Sequence, residues 1–203
     1  MRIGIDFDNT IVSYDALFHK VAREQGLVPP ETPLNKVAVR DHLRGMGQED
    51  RWTEMQGYVY GVRMVEALAY EGAIDFIRRA RDAGHSIVIV SHKTRHPFLG
   101  PQYDLHAAAR AWIERHLLCD GETLLSRDDV FFELTKQEKL ARIAACGCDA
   151  FIDDLPEILL AADFPPGTAR VLFDPEDHHS SAAAADGLRS FRTWRRIAEH
   201  FSA

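Results

Sequence analysis

The chain of 203 residues has room for one domain with a substantial insertion, and its 46% hydrophobic content is ordinary for a globular enzyme. A formal net charge of -7 at pH 7 argues against a nucleic-acid partner, which would attract clustered Lys and Arg. Three cysteines are too few for a disulfide framework, and the sequence contains no recognisable signal peptide and no apolar run of membrane-spanning length. We therefore expect a cytoplasmic protein with neither a nucleic-acid nor a membrane partner.

Short apolar segments alternate with helical patterns along the chain, which is typical of a parallel sheet with crossover connections. We predict strands at 2–6, 87–90, 130–132, 150–152 and 171–173. The spacing of apolar residues predicts helices around 73–80, 105–117 and 140–144, and a last helix at about 187–201. The predicted fold class is α/β, with a Rossmann-like parallel sheet.

One interval of the chain breaks this alternation. Residues 14–70 contain no convincing strand, and their patterns predict helices near 14–22, 35–44 and 49–70. We expect 14–70 to be a small helical cap and 1–13 with 71–203 to be the core domain. Ligands of open α/β sheets bind at the carboxyl ends of the strands, so we expect the cap there.

The first candidate catalytic group is Asp6-Phe7-Asp8-Asn9-Thr10, where the first predicted strand opens into a loop. Phosphoryl transfer needs a metal ion to neutralise phosphate charge, a nucleophile and an acid for the leaving oxygen. Asp6 can supply the nucleophile and a metal ligand, and Asp8 can supply the acid. Acidic turns and Ca²⁺-binding loops contain similar residues, so the motif alone does not decide the function.

Three further groups follow later predicted strands. Ser91 can donate a hydrogen bond to a phosphate oxygen, although a Ser in this position is often a cap or turn residue. Lys136 can hold the nucleophile and the phosphate together, and Lys139 competes with it for this role. Burying the carboxylates of Asp153 and Asp154 beside an apolar strand costs free energy unless a cation compensates their charge. Mg²⁺ is a natural candidate, because it prefers oxygen ligands. Because the carboxyl ends of parallel strands meet at one edge, we expect all these side chains to converge there.

The four groups, in this order, resemble the motifs of the haloacid dehalogenase (HAD) superfamily of phosphatases. The resemblance implies that Asp6 attacks phosphorus to form an aspartyl-phosphate and that Asp8 protonates the leaving group and then activates water. It also implies Mg²⁺ binding by Asp6, the backbone carbonyl of Asp8 and Asp153, with Asp154 in support. Asp8 favours phosphatase chemistry, because the superfamily's dehalogenases lack this second Asp. Catalytic roles are thus expected for Asp6, Asp8, Ser91 and Lys136.

The residues next to these motifs are candidates for substrate binding. We expect this role for Asn9, Thr10, His92 and Lys93, and the basic loop after Ser91 suits a phosphate or a sugar hydroxyl. Capping of the following segment is the alternative for that loop.

The predicted function is a hydrolase: a magnesium-dependent, metal-binding phosphatase acting on a small phosphorylated metabolite, either a sugar phosphate or a nucleoside monophosphate. The stretch 152–157 is locally similar to the 5′-deoxyribonucleotidase branch of the superfamily. A phosphoryl transferase or mutase and a non-catalytic phosphate- or metal-binding module are the alternatives. The complete set of Asp6, Asp8, Ser91, a Lys and Asp153 argues against the binding module. The sequence leaves the oligomeric state open.

Overall fold

The computed structural model describes residues 1–179 and 187–201, and these divide into two compact units. The sheet unit contains Met1–Val12, Ala69–His92 and the described residues from Leu117 onward. The helical unit contains Ser13–Leu68 and Lys93–His116. These boundaries differ from the expected ones mainly at Lys93–His116, a segment expected in the core domain.

In chain order the strands are β1 (Arg2–Ile5), β2 (Val12–Ser13), β3 (Leu68–Ala69), β4 (Ser86–His92), β5 (Leu118–Cys119), β6 (Glu122–Thr123), β7 (Val130–Glu133), β8 (Ala150–Asp153), β9 (Ala169–Phe173) and β10 (Leu188–Phe191). The α-helices are α1 (Asp15–Glu24), α2 (Lys36–Gly45), α3 (Glu49–Gly61), α4 (Ala73–Asp82), α5 (Leu105–His116), α6 (Lys136–Cys146), α7 (Pro156–Leu159) and α8 (Trp194–Phe201). Short 3-10 helices cover Met64–Glu66 and Arg127–Asp129. Within the described ranges, no helix has the length and apolar character needed to cross a membrane.

The sheet unit is built on a six-stranded sheet with the strand order β10-β9-β8-β1-β4-β7. Every neighbouring pair in this sheet is parallel. The predicted α/β class with a Rossmann-like parallel sheet is confirmed, and each of the five predicted strands is present.

Strand β4 is buried on both faces, as its β-branched sequence predicts. Val88 and Val90 lie in an apolar cluster with Leu140 and Ile143 of α6 and with Phe151 of β8. Side chains alternate along a strand, so the fully buried Ile89 points to the opposite face. Apolar surface is therefore removed from water on both sides of the central strands, which holds their carboxyl ends in a fixed arrangement.

Two local predictions were wrong, and one small element was missed. The segment predicted as one helix over 187–201 begins with β10, and only Trp194–Phe201 is helical, because Leu188–Phe191 completes the sheet beside β9. The helix predicted over 49–70 ends at Gly61, and β3 follows the 3-10 turn. The antiparallel pair β5 and β6 was not predicted, because two-residue strands carry little periodic signal.

The helical unit packs α1, α2, α3 and α5 around buried aromatic and aliphatic side chains. Trp112 of α5 is fully buried, and its Nε1–H donates to the Ala67 carbonyl at 2.8 Å. Phe18 of α1 packs on Trp52 of α3, with ring centres 5.0 Å apart. This contact of Trp112 links α5 to the preceding insertion, although Ala69–His92 of the sheet unit separates the two parts of the helical unit in the sequence.

Candidate active site

The register of the sheet brings the first and last acidic motifs side by side. Ile5 at the end of β1 is in register with Ile89 of β4 and with Ile152 of β8. The Asp6 N–H continues the ladder by donating to the Ile152 carbonyl at 2.8 Å. Asp153 directly follows Ile152, so Asp6 and Asp153 emerge next to each other at the carboxyl edge of the sheet.

A buried lysine joins these two aspartates. The Lys139 Nζ lies 2.6 Å from Asp6 Oδ1 and 2.6 Å from Asp153 Oδ2. The exposed fractions are 1% for Lys139, 4% for Asp6 and 0% for Asp153. Charges removed from water to this extent are tolerated only when they are paired, and removal of one partner leaves the others uncompensated. The three side chains therefore form one electrostatic unit.

The start of α6 positions this lysine. Thr135 is the N-cap, and its Oγ1 accepts the Glu138 N–H at 3.1 Å while the Glu138 carboxylate accepts the Thr135 N–H at 3.0 Å. Helix side chains lean toward the helix N-terminus, so Lys139 in the first full turn reaches back to the sheet edge.

Lys136 is not at this site, which corrects the preference for it over Lys139. It is the first residue of α6, and its Nζ donates to the Glu157 carbonyl. The capping box Thr135-x-x-Glu138 can be recognised in the sequence, and it places Lys136 at the very start of the helix. That signal could have favoured Lys139, which lies one helical turn further on.

Asp154 adds a third carboxylate to the site. One oxygen from each of Asp6, Asp153 and Asp154 lies within 4.8 Å of the others. Asp154 Oδ1 accepts the Thr10 Oγ1–H at 3.2 Å, and Asp153 Oδ1 accepts the Leu155 N–H at 2.9 Å. These donors fix the directions in which the two carboxylates point.

Burial and mutual repulsion disturb the ionisation of this group. Burial, together with the charges of Asp153 and Asp8, raises the pKa of Asp6 to about 7 against the opposing effect of Lys139. Burial, Asp153 and Asp6 raise the pKa of Asp154 well above its usual range. Burial alone would lower the pKa of Lys139, but Asp153 and Asp6 outweigh it and raise that pKa, so the amine stays protonated.

The donor set fits a hard divalent cation. Three ionised carboxylates beside one ammonium leave an excess of two negative charges. All the candidate ligand atoms are oxygens, which Mg²⁺ prefers, and a bound cation would relieve the repulsion that raises the pKa of Asp6 and of Asp154. Asp6, Asp153 and Asp154 therefore suit the predicted metal site.

The loop after β1 is a tight turn that holds Thr10 inside. Asn9 has a φ of 57°, in the left-handed region that Asn tolerates better than most residues. The N–H groups of Ile11 and Val12 both donate to the Phe7 carbonyl at 3.1 Å. Asp8, in the same turn, is half-buried.

Thr10 itself is fully buried. Besides its hydroxyl contact with Asp154, its carbonyl accepts the Trp194 Nε1–H at 3.1 Å. These contacts hold the acidic loop in place, a structural role in addition to the substrate binding expected for Thr10.

Ser91 presents a buried hydroxyl that has no hydrogen-bond partner among the described residues. Its exposed fraction is 1%, and it lies two positions past Ile89 on the strand next to β1. A hydroxyl removed from water without a partner costs free energy, so such an atom suggests a ligand or water that completes its bonding.

The two residues after Ser91 are placed differently. His92 is exposed, and its Nε2–H donates to the Leu134 carbonyl at 3.0 Å. Lys93 is buried and belongs to the helical unit, where its carbonyl accepts the His106 Nε2–H at 2.8 Å.

Comparison with known proteins places the chain by its fold. No known family description matches the sequence, and no curated protein matches it. A HAD family hydrolase from Deinococcus radiodurans R1, solved with bound phosphate and sodium, matches with a TM-score of 0.57 at 15% identity, over 99% of this chain and 94% of that one. A family IA HAD hydrolase from Entamoeba histolytica matches with a TM-score of 0.59 at 11% identity, over 97% and 94%.

A third match is the D,D-heptose 1,7-bisphosphate phosphatase from Burkholderia thailandensis, with a TM-score of 0.51 at 19% identity, over 70% of this chain and 92% of that one. These likenesses establish that the chain has the HAD-like fold.

Proposed function

We propose that this protein is a Mg²⁺-dependent phosphatase that hydrolyses a small phosphorylated metabolite through an aspartyl-phosphate on Asp6. The observation that carries the proposal is the contact of Lys139 with both Asp6 and Asp153 at the edge of the sheet, 2.6 Å from each. Lys139 is 133 positions from Asp6 and 14 positions from Asp153 in the chain, so the contact brings distant residues together around the proposed nucleophile.

Each side chain then has a definite task. Asp6 attacks phosphorus, so that a bond forms between its carboxylate oxygen and the phosphoryl group while the bond to the leaving oxygen breaks. Asp8 gives its proton to that leaving oxygen and afterwards takes a proton from the water that releases inorganic phosphate. Lys139 holds the carboxylate of Asp6 in place, and the Ser91 hydroxyl donates to a phosphate oxygen.

Asp6, Asp153, Asp154 and the backbone carbonyl of Asp8 would hold the metal ion. When bound, Mg²⁺ supplies positive charge that offsets the negative charge of the phosphoryl group. The raised pKa of Asp6, about 7 in the metal-free protein, means that this carboxylate needs such compensation to be fully ionised and nucleophilic at neutral pH.

The fold comparisons support a phosphate ester as the substrate. One matching structure is a bisphosphate phosphatase, and another was solved with bound phosphate and sodium. We propose a sugar phosphate or a nucleoside monophosphate. In this assignment the sheet unit supplies the catalytic groups.

The test is hydrolysis of p-nitrophenyl phosphate and of a panel of phosphorylated metabolites, with Mg²⁺ and with EDTA. We expect wild-type turnover only with the metal. Asp6→Asn should lower kcat by about three orders of magnitude or more, because it removes the nucleophile. Asp163→Asn, which changes an exposed carboxylate of the same unit, is the matched control and should retain wild-type rates.

Asp8→Asn separates acid–base chemistry from metal binding. The amide cannot exchange the proton, so kcat should fall by about two to four orders of magnitude. The stabilisation of the protein by Mg²⁺ should persist, because the backbone carbonyl is unchanged. Near-normal turnover of Asp6→Asn or of Asp8→Asn, or a metal-loaded wild-type protein that releases no phosphate from any ester, would contradict the proposed mechanism.

A further inference from the structure

The indole of Trp194 connects the last helix of the described chain to the acidic loop after β1. Its Nε1–H donates to the Thr10 carbonyl at 3.1 Å, although the two residues are 184 positions apart in the sequence. Both residues belong to the sheet unit. Trp194 is 1% exposed and Thr10 is fully buried, so the hydrogen bond is shielded from water and electrostatically stronger than at the surface.

Packing holds the indole ring in one orientation. Its centre lies 5.2 Å from that of the Phe76 ring of α4 and 5.5 Å from that of the Phe173 ring of β9. Gly72, directly before α4, allows a close approach, because a Cβ atom added there would lie 3.2 Å from the Trp194 Cβ. The position of the indole N–H is therefore set by the packing of α4, β9 and α8 and not by the loop that it contacts.

The effect of this hydrogen bond reaches the candidate metal site through Thr10. The Thr10 hydroxyl donates to Asp154 Oδ1 at 3.2 Å, and Asp154 is one of the three carboxylates that lie within 4.8 Å of one another. The Ile11 N–H donates to the Phe7 carbonyl within the loop, whereas the Thr10 carbonyl accepts from Trp194. A rotation of the Thr10 backbone would carry its hydroxyl away from Asp154, and the indole opposes that rotation.

We propose that Trp194 is a positioning residue for the metal site, and that its indole N–H holds Thr10 so that Thr10 directs Asp154 toward the cation. This inference rests on the metal site of the proposed function and adds a residue of α8 to it. A purely structural contact is the alternative, since a buried tryptophan usually finds an acceptor for its N–H. That alternative predicts lower stability of a Trp194 variant with no change in the affinity of the folded protein for Mg²⁺.

Calorimetric titration of the metal-free protein with Mg²⁺ tests the proposal without any measurement of turnover. Trp194→Phe keeps an aromatic ring and removes the N–H, so the Kd for Mg²⁺ should rise by about 5-fold, the effect of one neutral hydrogen bond. Thr10→Val keeps the shape of the side chain, removes the hydroxyl and should raise this Kd by about the same factor. Because both substitutions act on the same carboxylate, Trp194→Phe should add less than about 2-fold in the Thr10→Val background.

The matched control is Trp112→Phe, which removes an indole N–H that is bonded to the Ala67 carbonyl at 2.8 Å in the helical unit. Both tryptophan variants should unfold at a lower urea concentration than wild type, since each leaves a buried carbonyl without its donor. The Kd of Trp112→Phe for Mg²⁺ should nevertheless stay within about 2-fold of wild type, because sites without shared partners act independently.

Circular dichroism checks that each variant is folded. If Trp194→Phe does not fold, NMR of the wild-type protein with isotopically labelled tryptophan decides the question. The indole signal that is displaced in Thr10→Val should then shift as Mg²⁺ is added to wild type, with the Kd found by calorimetry.

Weaker Mg²⁺ binding in Trp194→Phe that is absent from Trp112→Phe and is lost in the Thr10→Val background supports the proposal. An unchanged Kd, an equal change in Trp112→Phe, an effect that remains full in the Thr10→Val background or an indole signal indifferent to Mg²⁺ overturns it. A wild-type protein that binds Mg²⁺ and hydrolyses no ester contradicts the proposed function alone. A wild-type protein that binds no Mg²⁺ overturns both.

Discussion

At the scale of single residues, the position of one ammonium group organises the candidate active site. Lys139 contacts two aspartates that are themselves in a cluster of three, so its charge is shared by groups that would otherwise repel one another. Lys136 is three residues away on the same helix and contacts a backbone carbonyl instead. The two lysines thus form a natural pair for comparison.

Replacement by Met should be strongly damaging at Lys139 and nearly neutral at Lys136. Lys139→Met leaves buried carboxylates uncompensated, so we expect the free energy of unfolding of the metal-free protein to fall by about 3–5 kcal/mol. Phosphatase kcat/KM should fall by about 100-fold or more, because the nucleophile is no longer held. Lys136→Met should stay within about 3-fold of wild type in kcat/KM and within about 0.5 kcal/mol in stability.

Urea unfolding and steady-state kinetics of the two variants provide the measurement. A larger loss of activity in Lys136→Met than in Lys139→Met would reverse the assignment made here.

At the scale of secondary-structure elements, α6 delivers the lysine because its first turn is firmly capped. The reciprocal hydrogen bonds of Thr135 and Glu138 satisfy N–H groups that have no partner within the helix. Its other end closes at Gly147, whose φ of 62° suits the left-handed conformation common after a helix. The helix is therefore defined at both ends by local sequence.

Thr135→Ala tests this cap. Loss of the side-chain acceptor should lower the free energy of unfolding by about 1 kcal/mol. Thr53→Ala is the control, because the Thr53 hydroxyl bonds the Glu49 carbonyl within α3 and caps no helix. Urea unfolding should place the midpoint of Thr135→Ala clearly below that of Thr53→Ala, and equal midpoints would show that the cap contributes little.

At the scale of the whole molecule, the acidic cluster should couple folding stability to metal and to pH. In the metal-free protein the pKa of Asp6 is about 7, raised from 3.8 chiefly by burial. Between these values the folded state binds more protons than the unfolded state, so this group makes stability fall as pH rises through the window. Mg²⁺ binds the ionised carboxylates, so its stabilising effect should grow over the same range.

Thermal unfolding with EDTA and with Mg²⁺ measures this coupling. At a Mg²⁺ concentration about 100 times Kd, the metal should add about 2.7 kcal/mol to the stability. The increase in Tm should be larger at pH 8 than at pH 5.5 and should be strongly reduced in Asp153→Asn. A Tm that does not respond to Mg²⁺ at either pH would argue against the metal site.

The sequence by itself determined five of the six strands of the sheet and the candidate groups. The unbroken apolar run Ile87–Val90 predicted a doubly buried strand, and acidic or hydroxyl residues after successive strands predicted one polar edge. These conclusions need only local information, because side-chain periodicity and the direction of parallel strands fix which residues share an edge.

Tertiary structure decided the rest. Local pattern could not separate Lys139 from Lys136, because the difference lies in the distance from each amine to the aspartates of other strands. Local pattern also predicted a helix at Leu188–Phe191, whereas pairing with β9 makes this segment a strand. Such contacts are set by packing and register over the folded chain, and no short window of sequence contains them.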